Sequence, residues 1–231
     1  MKRSLSVSLK KLKSLEYVEA GVLGAKTAIV LFHGYGANCH DLLGLSEFIK
    51  PHGGAHFYFP NGILNVPLGP FASGRAWFPI DMQALDRLMQ KGEFRNFQAH
   101  RPDGLQKAHD MAHEFLNEIN KNHDQVIVGG FSQGAMLSTD LVLAQSILVQ
   151  HLLILSGAYL NKDLWLELAE KLAPISFFQS HGENDPILPF EGAQALYEDL
   201  TKSGHHGVFS GFKGGHEIPY KALTDLSNFL K

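Results

Sequence analysis

Across 231 residues the chain has a single cysteine, Cys39, so no disulfide can close within it. A lone thiol fits a reducing compartment, because disulfide-stapled folds use cysteines in pairs. No stretch approaches the ~18 uninterrupted apolar residues of a membrane helix, so stable membrane insertion is not expected. The start, MKRSLSVSLKK, is basic but lacks the continuous apolar run and small-residue cleavage site of a secretory leader. A cytoplasmic location is therefore expected. Charge of one sign is scarce too: the formal net charge is −3, which gives nucleic acid no broad field to bind. Lys2, Arg3, Lys10, Lys11 and Lys13 read as a solvated edge, with an anionic membrane surface as the alternative. Internal repeats, low-complexity tracts and linkers are absent, so residues 1–231 read as one domain.

Hydrophobic residues make up 45% of the chain and charged residues 19%, an ordinary globular balance. At this length folding buries about 70% of the unfolded surface, enough to form a core without metals or cross-links. Leu5, Val7 and Leu9 alternate with polar residues, and 15–19 also reads as a strand, giving two half-exposed strands at a sheet edge. The run 27–32, TAIVLF, is apolar throughout, as in parallel strands covered on both faces. Further strands are expected at 56–59, 125–131, 151–155, 175–179 and 207–212. Helices are expected at 103–122, 132–144, around Asp163 and Glu167, at 191–202, and from the end of the last strand to Lys231. Between 60 and 102, glycine and proline break every period. That segment reads as an excursion over the top of the sheet, with a helix around 81–90. Alternating strands and helices predict an α/β fold, a mostly parallel central sheet with helices on both faces.

Gly130-Phe131-Ser132-Gln133-Gly134 matches G-x-S-x-G between the strand Val126-Ile127-Val128 and the helix opening Ala135-Met136-Leu137. Five residues alone recur by chance in a glycine-rich chain. Here the flanking elements give the pattern mechanical meaning: a nucleophilic serine on a tight strand-to-helix turn, with glycines where side chains would crowd it. A serine hydroxyl needs a base to take its proton, and the base needs an orienting acid. In this architecture the acid and then the histidine follow the serine along the chain. Asp185 lies in a loop after the strand 175–179, and His216 follows the last strand through Lys213-Gly214-Gly215. His205 and His206, at the opposite end of that strand, read as exposed loop residues. His109 and His113 are spaced i, i+4 but have no third ligand nearby and do not complete H-E-x-x-H, so no metal is expected. For the oxyanion of an acyl-transfer intermediate, the backbone N–H groups of Gln133 and of Tyr35, in His33-Gly34-Tyr35-Gly36, are the candidate donors.

Taken in order, His33-Gly34-Tyr35-Gly36, Gly130 to Gly134, His181-Gly182 through Asp185-Pro186 to Pro189, and Gly215-His216-Glu217-Ile218 resemble the phospholipase/carboxylesterase family of small serine hydrolases, which includes the acyl-protein thioesterases. Arg75-Ala76-Trp77-Phe78 resembles that family's R-x-W-F segment. The resemblance runs from about residue 27 to the C-terminus. It implies an α/β-hydrolase fold without a large lid domain, and Ser132, Asp185 and His216 as triad with Tyr35 and Gln133 as oxyanion donors. It also implies a cofactor-free reaction on a small or lipid-like acyl ester or thioester. Residues 60–101 match least well outside Trp77, so acyl selectivity is expected there. Phe71, Trp77, Phe78 and Leu188 are the candidate substrate-binding residues, with core packing as the competing role for the aromatics. A lysophospholipase or peptidase of the same fold, a non-catalytic ligand-binding protein, and a homodimer all remain open at this point.

Overall fold

The computed structural model describes residues 8–81, 83, 84, 87, 90, 101–145 and 147–231. Its frame is an eight-stranded sheet with two cores, one on each face. Numbered along the chain, the strands are β1 (Lys10–Leu12), β2 (Leu15–Gly21), β3 (Thr27–Phe32), β4 (His56–Pro60), β5 (Leu64–Pro67), β6 (Ser73–Ala76), β7 (Gln125–Phe131), β8 (His151–Leu155), β9 (Ser176–Gly182) and β10 (His206–Phe212). The main sheet runs β1-β2-β4-β3-β7-β8-β9-β10, while β5 and β6 form a separate antiparallel hairpin. β2 is antiparallel to both β1 and β4; every other pairing in the main sheet is parallel.

All six residues of β3 are buried, because its alternate side chains enter different cores. Ala28, Val30 and Phe32 pack into one and Ile29 and Leu31 into the other, the period-two alternation of a strand covered on both sides. The α-helices that lie wholly within the described residues are α1 (Leu105–Asn120), α2 (Gln133–Leu143), α3 (Lys162–Lys171), α4 (Phe190–Lys202) and α5 (Tyr220–Phe229). The first four contribute Leu116, Leu137, Trp165 and Leu196 to the first core, and α5 sends Leu226 into the second. Every residue of α2 is buried, so this helix is covered around its whole circumference. Its one acid, Asp140, is buried among donors: the Arg101 guanidinium at 2.8 Å, Trp165 Nε1–H at 3.0 Å and the His109 ring at 2.9 Å. A buried carboxylate persists only when so satisfied.

The expected elements that fall within the described residues are present, with informative differences. The strand reading at Leu5 and Val7 lies outside the described residues, and Leu9 is exposed ahead of β1. The 60–102 excursion contains the β5–β6 hairpin, which has no clean alternation to announce it. Of the helix expected at 81–90, residues 83, 84, 87 and 90 are helical, with Ala84 N–H donating to Asp81; the rest lies outside the described residues. His205 corrects its expected exposure. It is buried, its Nδ1 accepting from Ile175 N–H and its Nε2–H donating to Ala169 O, whereas His206 opens β10 in solvent. No helix among the described residues is long and apolar enough to cross a membrane.

β3 is followed in space by β4 on one side and β7 on the other. The direction of winding thus reverses between β3 and β7, the point where open parallel sheets leave a crevice at their C-terminal ends. The loop after β3 and the turn after β7 both open there.

Candidate active site

Ser132 holds φ 55° and ψ −118° between β7 and α2, a conformation that L-residues rarely adopt and that costs on the order of 1–3 kcal/mol. The surrounding contacts force it. A Cβ on Gly134 would lie 2.0 Å from Phe32 O, so only glycine lets the start of α2 press against the end of β3. The serine hydroxyl is thereby presented at the crevice, at the N-terminus of a helix.

Asp185 and His216 reach it from two loops that are stitched together. Glu183 N–H donates to Phe212 O at 2.8 Å and Asn184 N–H to Gly214 O at 3.0 Å, joining the turn after β9 to the turn after β10. His216 Nδ1 lies 2.7 Å from Asp185 Oδ2, and its Nε2 lies 2.8 Å from Ser132 Oγ. A carboxylate can only accept, so Nδ1 carries the proton and Nε2 presents its lone pair to the serine O–H. Asp185 is itself held from every side. Its Oδ1 accepts from Ile187 N–H at 2.8 Å and Leu188 N–H at 3.0 Å. Its Oδ2 also lies 3.3 Å from Nε2 of the fully buried His181, whose Nε2–H donates to Leu188 O at 2.9 Å. Burial alone would raise the Asp185 pKa; the bonds from His181, His216 and Leu188 N–H overcome it and hold the carboxyl well below the usual range.

The loop after β3 is clamped by the hairpin. Gly36 N–H donates to Arg75 O at 2.8 Å and Arg75 N–H to Ala37 O at 2.7 Å. A Cβ at Gly74 would fall 1.8 Å from Gly36 O, so the two backbones touch. Trp77 is fully buried; its Nε1–H donates to His33 O at 2.9 Å and its ring packs edge-on against Phe32. The Gln133 side chain completes the clamp, accepting from Trp77 N–H at 2.9 Å and donating to Phe78 O at 2.7 Å. Tyr35 and Gln133, the two expected oxyanion donors, border the same cleft as Ser132 and His216. As the first residue of α2, Gln133 has no intrahelical acceptor for its N–H.

The four expected substrate-binding residues separate. Leu188 lines the cleft. Trp77 and Phe78 are packed in the core and line none of it, because their backbone and indole are committed to the clamp. Phe71 is fully exposed in the β5–β6 turn and also stands off the cleft wall. The cleft measures about 170 Å³ and is walled chiefly by Ile80, Phe131, Met136, Ile187 and Leu188, with Asp41 at its side. His181, the Gln133 side chain and Asp41 have no assigned role in the sequence reading. His181 lies inside a matched motif, whereas nothing in the pattern separates Asp41 from the other acids.

His33 fixes the start of the loop and is the site's clearest acid-sensitive group. Its Nδ1–H donates to Gly34 O at 2.7 Å and its Nε2 accepts from Gly62 N–H at 2.9 Å. Burial lowers its pKa to about 4, only partly countered by the Gly34 bond. The folded pKa lies below the unfolded value of about 6.5, so this stability is complete above pH 6.5 and drains as pH falls toward 4. The loss expected from His33 over that window is on the order of 3 kcal/mol. Urea midpoints at pH 7 and pH 4.5 should differ accordingly, and His33→Gln should flatten the slope. A pH-independent midpoint in the wild type would contradict it.

The sequence pattern of phospholipase/carboxylesterase proteins matches residues 14–231. An acyl-protein thioesterase 1 from Debaryomyces hansenii is 30% identical over 234 residues, covering 92% of this chain and 94% of its own length. Among solved structures, esterase PE8 is 25% identical with a TM-score of 0.72, covering 92% of this chain and 95% of its own. A carboxylesterase from Mesorhizobium loti shares the fold with a TM-score of 0.74 at 20% identity, covering 97% of this chain and 98% of its own. The elbow, its two facing loops and this match over nearly the whole length place the chain in the phospholipase/carboxylesterase family.

Proposed function

We propose that this chain, a carboxylic ester hydrolase by family, cleaves acyl esters or thioesters through an acyl-enzyme on Ser132. The observation that carries the reading is the unbroken hydrogen-bond chain from Ser132 Oγ through His216 to Asp185. His216 Nε2 takes the serine proton as Oγ attacks the acyl carbon. The Tyr35 and Gln133 N–H groups receive the developing oxyanion. The protonated imidazole, stabilised by the Asp185 carboxylate, then passes its proton to the leaving alkoxide or thiolate. Water, activated by the same imidazole, releases the acid and restores the serine. A non-catalytic ligand-binding role gains no support from a site in which base, acid and nucleophile already stand at bonding distance. Labelling with a fluorophosphonate tests the reading: a covalent adduct is expected on Ser132, and its absence on an intact, folded chain would overturn it.

The cleft also sizes the acyl group. Its ~170 Å³ compares with the roughly 150 Å³ of a cavity that accepts benzene, so about six carbons fit. Each buried methylene contributes up to about 0.8 kcal/mol, close to fourfold in kcat/KM. Across p-nitrophenyl esters, kcat/KM should rise from acetate to about hexanoate and then level off. A continued rise to palmitate would show that the acyl chain runs along some other surface. The size also speaks against a lysophospholipase that encloses its whole chain.

A further inference from the structure

Asp41 is the carboxylate on the wall of the Ser132 cleft, where it stands with Ser132, His216, Tyr35 and Gln133 among apolar side chains. Its place is fixed by a tight turn. Asp41 N–H donates to Asn38 O at 3.0 Å, and the intervening Cys39, itself buried, donates its N–H to Asn61 Oδ1 at 3.0 Å. Among the described residues no cation pairs with this carboxylate. Partial burial pushes its pKa up, and no neighbouring charge adds to or offsets that effect. His216 and Tyr35 also line the cleft, and Asp185 is already saturated by four donors. A carboxylate with no hydrogen-bond or ionic partner among the described residues thus lines the same cleft as Ser132, with no structural role that requires it.

We infer that Asp41 sorts substrates by charge: the cleft favours an acyl ester or thioester that carries an amine or quaternary ammonium near the scissile group, and disfavours one with a carboxylate there. The inference rests on Ser132 being the nucleophile. Asp41 is open to solvent as well as to the cleft, so screening limits the effect to about fivefold for each sign of charge. It should shrink as salt is raised from 0.01 to 1 M, where the Debye length falls from about 30 to about 3 Å.

Isosteric esters test this directly. Acetylcholine and 3,3-dimethylbutyl acetate share a shape and differ by one positive charge in the leaving group. A trimethylammonio-acyl thioester and its tert-butyl isostere place the same difference in the acyl group. The readout is the ratio of kcat/KM within each pair, so that a general loss of activity cancels. In the wild type at low salt, at least one pair should favour the cation about fivefold. Asp41→Asn should bring that ratio to near one, and Asp41→Lys should invert it. Equal rates within both pairs in the wild type, or a preference that survives in Asp41→Asn, would overturn the role of Asp41 while leaving the Ser132 reading intact. If the neutral esters turn over no faster in the wild type than in Ser132→Ala, the Ser132 reading falls, and this inference falls with it.

Discussion

Ser132→Ala is expected to lower turnover on a neutral short-chain ester by on the order of 10⁶, because in the proposed mechanism serine, histidine and acid act as one unit. The residual rate, from bound substrate and the oxyanion donors, should still exceed the uncatalysed reaction by about 10³. Stability should change little. The substitution removes a single oxygen at the crevice, and alanine meets the same backbone strain at φ 55° that serine already bears. The hydroxyl's bond to His216 is lost, but the imidazole keeps its 2.7 Å bond to Asp185, so the ring stays in place. The measurement is steady-state hydrolysis beside a thermal melt of each protein. A variant that melts like the wild type and retains more than about a hundredth of its turnover would mean that another group attacks the acyl carbon. A variant that loses turnover together with its melting transition would not decide the point, and Ser132→Gly would then be compared. Glycine relieves the positive φ and removes the nucleophile at once.

The parts of this molecule that were legible in the sequence are those where one local requirement leaves few residue choices. A strand covered on both faces must be apolar throughout, and TAIVLF is. A serine on a strand-to-helix turn needs neighbours without side chains, and the 2.0 Å clearance at Gly134 is that need in the structure. A histidine after the last strand can reach the serine only if its loop meets the loop of the acid, and the bonds from Glu183 and Asn184 show them meeting. What was illegible depends on packing between distant segments. Trp77 and Phe78 are aromatic residues near a site by motif, which fits a pocket wall and a core equally well. Only the bonds to His33 and Gln133 show that they brace the loop after β3 from behind. His205 lay in a polar run, Ser-Gly-His-His, that suggested exposure, yet its two ring nitrogens are spent on backbone groups of Ile175 and Ala169. The β5–β6 hairpin escaped because its pairing is set by contact with the loop after β3 and not by alternation along its own strands.

Asp185→Asn should reduce kcat by on the order of 10⁴ with far less effect on KM, through the direction of one proton. Asparagine matches aspartate in shape but presents one oxygen and one NH₂ where the carboxylate has two acceptors. The surroundings decide which end points where. Ile187 and Leu188 both aim N–H groups at the Oδ1 position, at 2.8 and 3.0 Å, so the amide oxygen must occupy it. Turning the amide round would set its NH₂ against two buried backbone donors. The NH₂ therefore faces His216 Nδ1, which can only accept from it. The imidazole must then carry its proton on Nε2, pointing at Ser132, and a protonated Nε2 cannot receive the serine proton. The same NH₂ also confronts the Nε2–H of His181, which loses its second acceptor while keeping Leu188 O. The fold should persist, with some loss of stability from that mismatch, and fluorophosphonate labelling of Ser132 should slow in step with kcat. Turnover within tenfold of the wild type would remove Asp185 from its role, since no rotation of an asparagine here restores an acceptor to His216 without leaving the Ile187 and Leu188 N–H groups facing a donor.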